Sequence, residues 1–464
     1  MHPKTNIGFS VQEILEATGG ELLSGSREGL FSGVSIDSRI VKDGEIFIAV
    51  KGEHFDGHDF IPQAVQNGAH CIIISKDKAV MLGNKIPHTL ISVRDTISAL
   101  SGLAYFHRKR FGIPVIGITG SNGKTTTKEM LGSLLSSRYR VLTNEGTQNN
   151  IIGLSLTLLN LRPEHEIAVL ELGTNHFGEL KTLTAIAAPN VGIITNIGPA
   201  HLEYFGDKNG VLKEKWQLLE ELSSPRLAIL NADDELLMEG AHRASSDSDI
   251  TSFTFGIKNK ADFMARRIRL SLVRNKLLFL IKNKPIELNT LSSINVYNAL
   301  AAYAAARVFS IDAYDIVGQF RKTKFPKSRF QIRRANGLSV IDDAYNANPE
   351  SFHYAIEAFK DLRASGRKIV VMADMLELGR QTENLHRFLG EELTRSGIDM
   401  IVAVGPLSHI ACDAAVASGF NPRAAYKCSS NQEAKKMISD LATNQDMILV
   451  KGSRAMRLEE IFDP

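Results

Sequence analysis

The stretch Gly117-Ile118-Thr119-Gly120-Ser121-Asn122-Gly123-Lys124-Thr125-Thr126 constrains this chain more than any other. It joins a short apolar run, Ile113 to Ile118, to a helix-like segment, Thr126 to Leu135. A glycine-rich turn between a strand and a helix aims backbone N–H groups at one point, which also lies at the positive end of the helix dipole. Phosphate groups fit such a cradle. Thr119, Gly120, Ser121, Asn122, Gly123, Lys124, Thr125 and Thr126 are therefore read as a nucleotide-binding loop for ATP. In it Lys124 is a mobile cation for the outer phosphates and Thr125 a hydroxyl ligand for Mg²⁺. Ile118 stands where a strict phosphate-loop pattern has its first glycine. A loop of this kind serves kinases, ligases, switches and motors alike.

At 464 residues the chain is too long for one ordinary core. The pattern divides it into three sections: 1–110, 111–324 and 325–464. The first mixes helix-like segments (Val11 to Thr18, Phe60 to Gly68, Ser98 to Arg110) with strand-like runs such as Gly44 to Val50. The second carries the phosphate loop and apolar runs at Ile167 to Leu170, Val191 to Ile194 and Leu227 to Leu230, which read as buried parallel strands. The third alternates strand-like runs (Leu338 to Ile341, Ile369 to Met372, Ile401 to Val404, Met447 to Val450) with helical ones, the signature of a doubly wound parallel sheet. The expected fold is thus α/β throughout.

A net charge of +3 argues against a dedicated nucleic-acid or membrane surface. The N-terminal residues lack the apolar core of a signal peptide, and no apolar run approaches membrane-spanning length. Cys71, Cys412 and Cys428 are far apart and lack metal-ligand spacing, so idle thiols in a reducing compartment are expected. The expected location is cytoplasmic.

Ligands of open parallel sheets gather outside the carboxyl ends of the strands. Glu171 ends one predicted strand and His201 follows another, so both are candidates to reach metal at the phosphates. Lys213 and Lys215 fall in a helical segment, Gly210 to Leu222, and read as a solvated face. Asp342-Asp343-Ala344-Tyr345-Asn346-Ala347-Asn348-Pro349-Glu350-Ser351 follows a strand and is richer in polar residues than a turn requires, so a ligand loop is expected. Asn259-Lys260-Ala261-Asp262 spells the guanine-reading tetrapeptide of GTPases, but the run before it is mixed rather than apolar, and the match is taken as accidental.

Together these segments resemble the Mur ligases over nearly the whole chain. The resemblance rests on Asp37-Ser38-Arg39 and Phe55 to Phe60, on the phosphate loop, on Glu171 to Leu180 and Asn196 to Leu202. It extends to Asp343 to Pro349, Asp374-Met375-Leu376-Glu377-Leu378-Gly379 and Lys451 to Arg454. It implies a small α/β domain for a UDP-sugar, a central ATPase domain and a Rossmann-like C-terminal domain. It also implies ATP-dependent amide formation in peptidoglycan synthesis, with Mg²⁺ as cofactor. Tyr345 to Pro349 and Asp374 to Gly379 are similar to the branch that adds D-alanyl-D-alanine to UDP-N-acetylmuramoyl-tripeptide, rather than to a sister ligase adding one amino acid. The implied roles are Glu171 and His201 for a second Mg²⁺, Lys215 as a carbamylated lysine, Asn295 for adenine, Arg329 for the γ-phosphate and Asp343 for the ribose. Ser38, Arg39, Asn346 and Asn348 would contact substrates, and the enzyme would act as a monomer. The chain departs from the usual pattern at Thr147, Ser155, Gln217 and Ile294, where Asn, Pro, Glu and His are common.

Overall fold

The computed structural model describes residues 8–82, 88–244, 249–335 and 337–462. Their strands form three main sheets, each drawn from one stretch of chain, and a two-stranded ribbon of Phe9–Ser10 with Leu30–Phe31. The first main sheet runs in the order Glu21–Ser24, Thr89–Val93, Ala69–Ser75, Glu45–Ile48, Val34–Ser35. Its first pair is antiparallel and the rest are parallel.

The central sheet has nine strands. Val141–Thr143, Ile167–Glu171, Val115–Thr119, Val191–Ile194, Leu227–Asn231 and Thr251–Gly256 lie side by side in parallel. Val115–Thr119 and Ile167–Glu171 are buried along their whole length, which is why they read as unbroken apolar runs. Phe263–Ser271, Lys276–Ile281 and Lys284–Leu288 extend the sheet, the last two in antiparallel pairing. The alternation of half-buried and buried residues in Lys276–Ile281 matches a strand with one face toward the core and one partly solvated.

Helices cover both faces of this sheet. On one side lie Lys124–Leu135 and Asn295–Val308. The second is alanine-rich and almost wholly buried. On the other side lie Ile151–Leu159, Glu179–Ala187 and Lys208–Glu220.

The third sheet runs Gln331–Ala335, Leu338–Asp342, Met447–Lys451, Lys368–Ala373, Met400–Val404, Ala425–Cys428, all parallel after the first strand. The three cysteines are buried and free. No described helix is long and apolar enough to cross a membrane.

Strand register places the chemistry. Glu171 pairs with Ile118 and Ile194 with Thr119, so the strand carrying Glu171 and the strand leading to His201 end on either side of the phosphate loop. In the third sheet Asp342 pairs with Val450, which sets Asp343 beside Lys451.

Candidate functional site

A cavity of about 670 Å³ opens between the carboxyl ends of the central and third sheets. Ser121 to Thr126 form its floor. Gly123 caps the helix Lys124–Leu135 at φ 85°, and a Cβ there would collide with Asn298 Oδ1. Only glycine fits both the backbone and the space. The helix starts at Lys124, a little earlier than the sequence suggests, because glycine rather than a side-chain cap begins it. Thr119 and Gly120 lie beneath the floor and do not reach the cavity.

Lys124 folds back over its own loop, donating from Nζ to Gly120 O at 2.6 Å and Ser121 O at 3.2 Å. Burial lowers its pKa, Glu171 opposes that shift, and the Arg329 cation adds to it. The Thr125 hydroxyl accepts from Arg329 Nη2 at 2.9 Å.

Glu171 is 1% exposed. Its Oε1 accepts from Asn149 Nδ2 at 2.7 Å, and its Oε2 is buried with no hydrogen-bond partner. An unpaired buried carboxylate oxygen is costly and marks a place for a cation. The backbone of Glu171 is pinned by Asn144, whose amide both donates to and accepts from it. Lys128, fully buried, in turn holds that segment through Asn144 O and Gly146 O. His201 lines the same cavity and contacts Glu377 Oε2 through Nδ1 at 2.5 Å. Among the described residues no group of three or more His, Cys, Asp or Glu forms a ready cage for a metal. Mg²⁺ needs none, because it keeps waters and takes one or two protein ligands beside substrate phosphates. Thr125 fits that demand for one ion, and Glu171 with His201 fits it for a second.

Lys215 corrects the sequence reading. The solvated residue is Lys213, whose ammonium lies 5.9 Å from the centre of the Phe177 ring. Lys215 is 1% exposed, and no hydrogen bond or ion pair among the described residues engages its ammonium. Burial first, then the Lys124 charge, push its pKa well below the usual lysine value, with Glu214 opposing. The Glu214 carboxylate is occupied by Thr174 Oγ1, Gly178 N and Leu180 N, so it orders the loop beyond Glu171.

The opposite wall comes from the third sheet. Ser328 and Phe330 have φ of 55° and 54°, and they present Arg329 between them. Its guanidinium lies 4.0 Å from the centre of the Tyr345 ring. Asp343 accepts from Phe330 N at 3.0 Å and pairs with Lys451 Nζ at 2.6 Å. Asn348 does two jobs. It caps the helix Pro349–Asp361 in a reciprocal box with Ser351, and its Nδ2 donates to Asn122 Oδ1 at 2.8 Å. The segment is thus both the turn and the cavity wall that the sequence leaves as alternatives. Asn346 is exposed and lines the cavity, as does Asn295, which is held by Thr290 and Asn298.

Ser38 and Arg39 do not join this site. Ser38 Oγ donates to Gln63 Oε1 at 2.7 Å. Arg39 pairs with Asp37 and holds its carboxyl down at about 2. The tetrapeptide at Asn259 lies in a loop fixed by Asp233 and does not line the cavity either. Sequence reasoning missed Asn149, Glu214, Glu377 and Lys451 as parts of the site. Glu377 and Lys451 carried a signal, since both lie in segments that carry the resemblance and Lys451 also sits at the carboxyl end of a predicted strand.

The chain matches the Mur ligase middle domain over residues 118–306, the Mur ligase glutamate ligase domain over 328–454 and the Mur ligase family catalytic domain over 30–108. It is 34% identical to the UDP-N-acetylmuramoyl-tripeptide–D-alanyl-D-alanine ligase of Bacillus subtilis (strain 168), covering 97% of each chain. It is 33% identical to the protein of that name from Escherichia coli (strain K12), covering 95% of this chain and 96% of the other. Among solved structures it superposes on MurF from Acinetobacter baumannii with a TM-score of 0.88 at 32% identity, covering 98% of both. The MurF ligase of Thermotoga maritima in complex with ADP gives 0.79 at 29% identity, covering 92% of this chain and 96% of that one.

Proposed function

The chain belongs to the Mur ligase family, and we infer that it is an ATP-dependent ligase adding D-alanyl-D-alanine to UDP-N-acetylmuramoyl-tripeptide in peptidoglycan precursor synthesis. The observation that carries this reading is the shared cavity. It gathers a phosphate loop, an unpaired carboxylate oxygen on Glu171, and a polar wall from a second sheet.

Joining an acid to an amine requires activation, because a carboxylate oxygen is a poor leaving group. The terminal carboxylate of the tripeptide attacks the γ-phosphorus of ATP. A new O–P bond forms, the bond to the β-phosphate oxygen breaks, and ADP leaves. The amine of D-alanyl-D-alanine then attacks the acyl carbon, loses a proton, and expels phosphate. Two anions meet in the first step. Lys124 and the loop amides offset that repulsion, and Arg329 meets the γ-phosphate from the opposite wall. Mg²⁺, when bound, neutralises charge on the phosphates and on the transferring phosphoryl group. Thr125 would hold one such ion, and Glu171 with His201 a second. Asn295 faces adenine, Asp343 the ribose, and Asn346 and Asn348 the incoming dipeptide.

Lys215 is assigned as a carbamylated lysine. Burial lowers its pKa and so favours the neutral amine, which adds to CO₂ with loss of one proton to give a buried carbamate anion. The sections 1–110, 111–324 and 325–464 are assigned as UDP-sugar, ATP and dipeptide domains, with Ser38 and Arg39 in the first. Because the substrates are ATP and a nucleotide-linked peptide, the reaction is placed in the cytoplasm, with the enzyme acting as a monomer.

The test is phosphate release from ATP and UDP-muramoyl-tripeptide, with D-alanyl-D-alanine and single amino acids compared as amines. Release that depends on the dipeptide is expected. Equal or greater release with a single amino acid would favour a sister ligase.

A further inference from the structure

His201 is bound from across the cavity. Glu377 follows the strand Lys368–Ala373 of the third sheet, whereas His201 follows Val191–Ile194 of the central sheet. Their side chains meet at 2.5 Å, from Nδ1 to Oε2. The contact is part of a docked loop, because Glu203 N donates to Glu377 O at 3.0 Å. Gly379, at φ 56°, brings the backbone so near that a Cβ there would lie 2.9 Å from Glu203 Cα. Both partners hold left-handed backbone without being glycine, His201 at φ 54° and Glu377 at φ 63°. Such strain persists where the surroundings over-determine it.

An imidazole has two nitrogens, and a hydrogen bond at one decides what the other can do. A carboxylate on Nδ1 fixes the proton there and leaves Nε2 as a lone-pair donor. Metal-binding histidines are commonly oriented this way. We propose that Glu377 is a positioning residue that holds His201 in the Nδ1–H tautomer with Nε2 turned toward the metal, so that docking of the third sheet completes the metal site. The proposal rests on the reading of His201 as a metal ligand and extends it to a residue on another sheet.

Two measurements test it. In the metal-free full-length enzyme, ¹⁵N shifts of the His201 imidazole should report a protonated Nδ1 and a bare Nε2. An Nε2–H tautomer overturns the proposal. Mn²⁺ is then added to the enzyme with a β,γ-methylene analogue of ATP, and pulsed electron paramagnetic resonance reads ¹⁴N coupling from a bound imidazole. Glu377→Ala should weaken Mn²⁺ binding about 10–100-fold and diminish the ¹⁴N signal. Glu377→Gln keeps an acceptor oxygen and should restore both. The backbone contact through Glu377 O survives either change, so lost docking does not explain a difference between them. If Glu377→Ala binds Mn²⁺ as wild type does, with the ¹⁴N signal intact, the proposal is wrong. His201→Ala separates the two levels. Signal lost with His201→Ala but kept with Glu377→Ala sinks the positioning role alone, whereas signal kept with His201→Ala sinks the ligand assignment and the proposal with it.

Discussion

Asn149 and Glu171 form a half-completed pair: the amide satisfies one carboxylate oxygen at 2.7 Å and leaves the other buried and unmatched. An apo protein tolerates such a group only at a cost in stability, and an enzyme keeps it because a bound cation removes the cost. Glu171→Gln should therefore abolish ligation yet leave the apo protein as stable or more so, by about 1 kcal/mol. Thermal melts with and without Mg²⁺ and nucleotide check this. Wild type should gain stability from the pair of ligands, and the variant should gain little.

Lys124→Ala removes the cation closest to the phosphate cradle. The fall in kcat should be about a thousandfold or more, with secondary structure retained. Circular dichroism and the phosphate-release assay decide it, and an active variant still dependent on ATP would contradict the assignment.

Lys215 gives a pH dependence with a definite sign. Its folded pKa lies below the unfolded one, so between those two values the unfolded chain binds the extra proton. Stability contributed by this group therefore rises with pH across that window. In CO₂-free buffer, Lys215→Met should flatten the rise and stabilise the protein at its acidic end. Urea denaturation at a series of pH values between about 6 and 9 measures both effects.

Lys451 is 2% exposed and pairs with Asp343. Lys451→Met leaves a carboxylate without its partner and should cost roughly 3–5 kcal/mol, while adding Asp343→Asn should recover part of that loss. A double-mutant cycle on chemical denaturation reads the coupling. ATP affinity should fall in Asp343→Asn alone if the carboxylate meets the ribose.

Local pattern made much of this legible. The helix Val11–Thr18 lies where Ser10, Glu13 and Gly19 predict, because its cap box and its C-terminal glycine are local signals. Glu171 and the phosphate loop were legible because a parallel strand ends in the ligand crevice whatever the rest of the chain does. Lys215 was not. Its helix spacing suits an exposed face equally well, and only packing against the sheet decides that Lys213 turns outward while Lys215 turns in. The His201–Glu377 and Asn122–Asn348 contacts join segments far apart in sequence, and no local pattern records which loop of one sheet meets which loop of another. Ser38 and Arg39 show the reverse: their motif is plain in the sequence, yet they lie outside the cavity that the other site residues share.

Amide meets amide at Asn122 and Asn348, and guanidinium meets hydroxyl at Arg329 and Thr125. Such polar links are largely remade to solvent when broken, whereas the packing of Leu270, Leu272 and Leu291 against the core of the third sheet is the apolar part of the seam. Spent nucleotide and the lengthened peptide would leave by a parting of these two walls. The pace of turnover then answers to how readily they separate as well as to the chemistry between them.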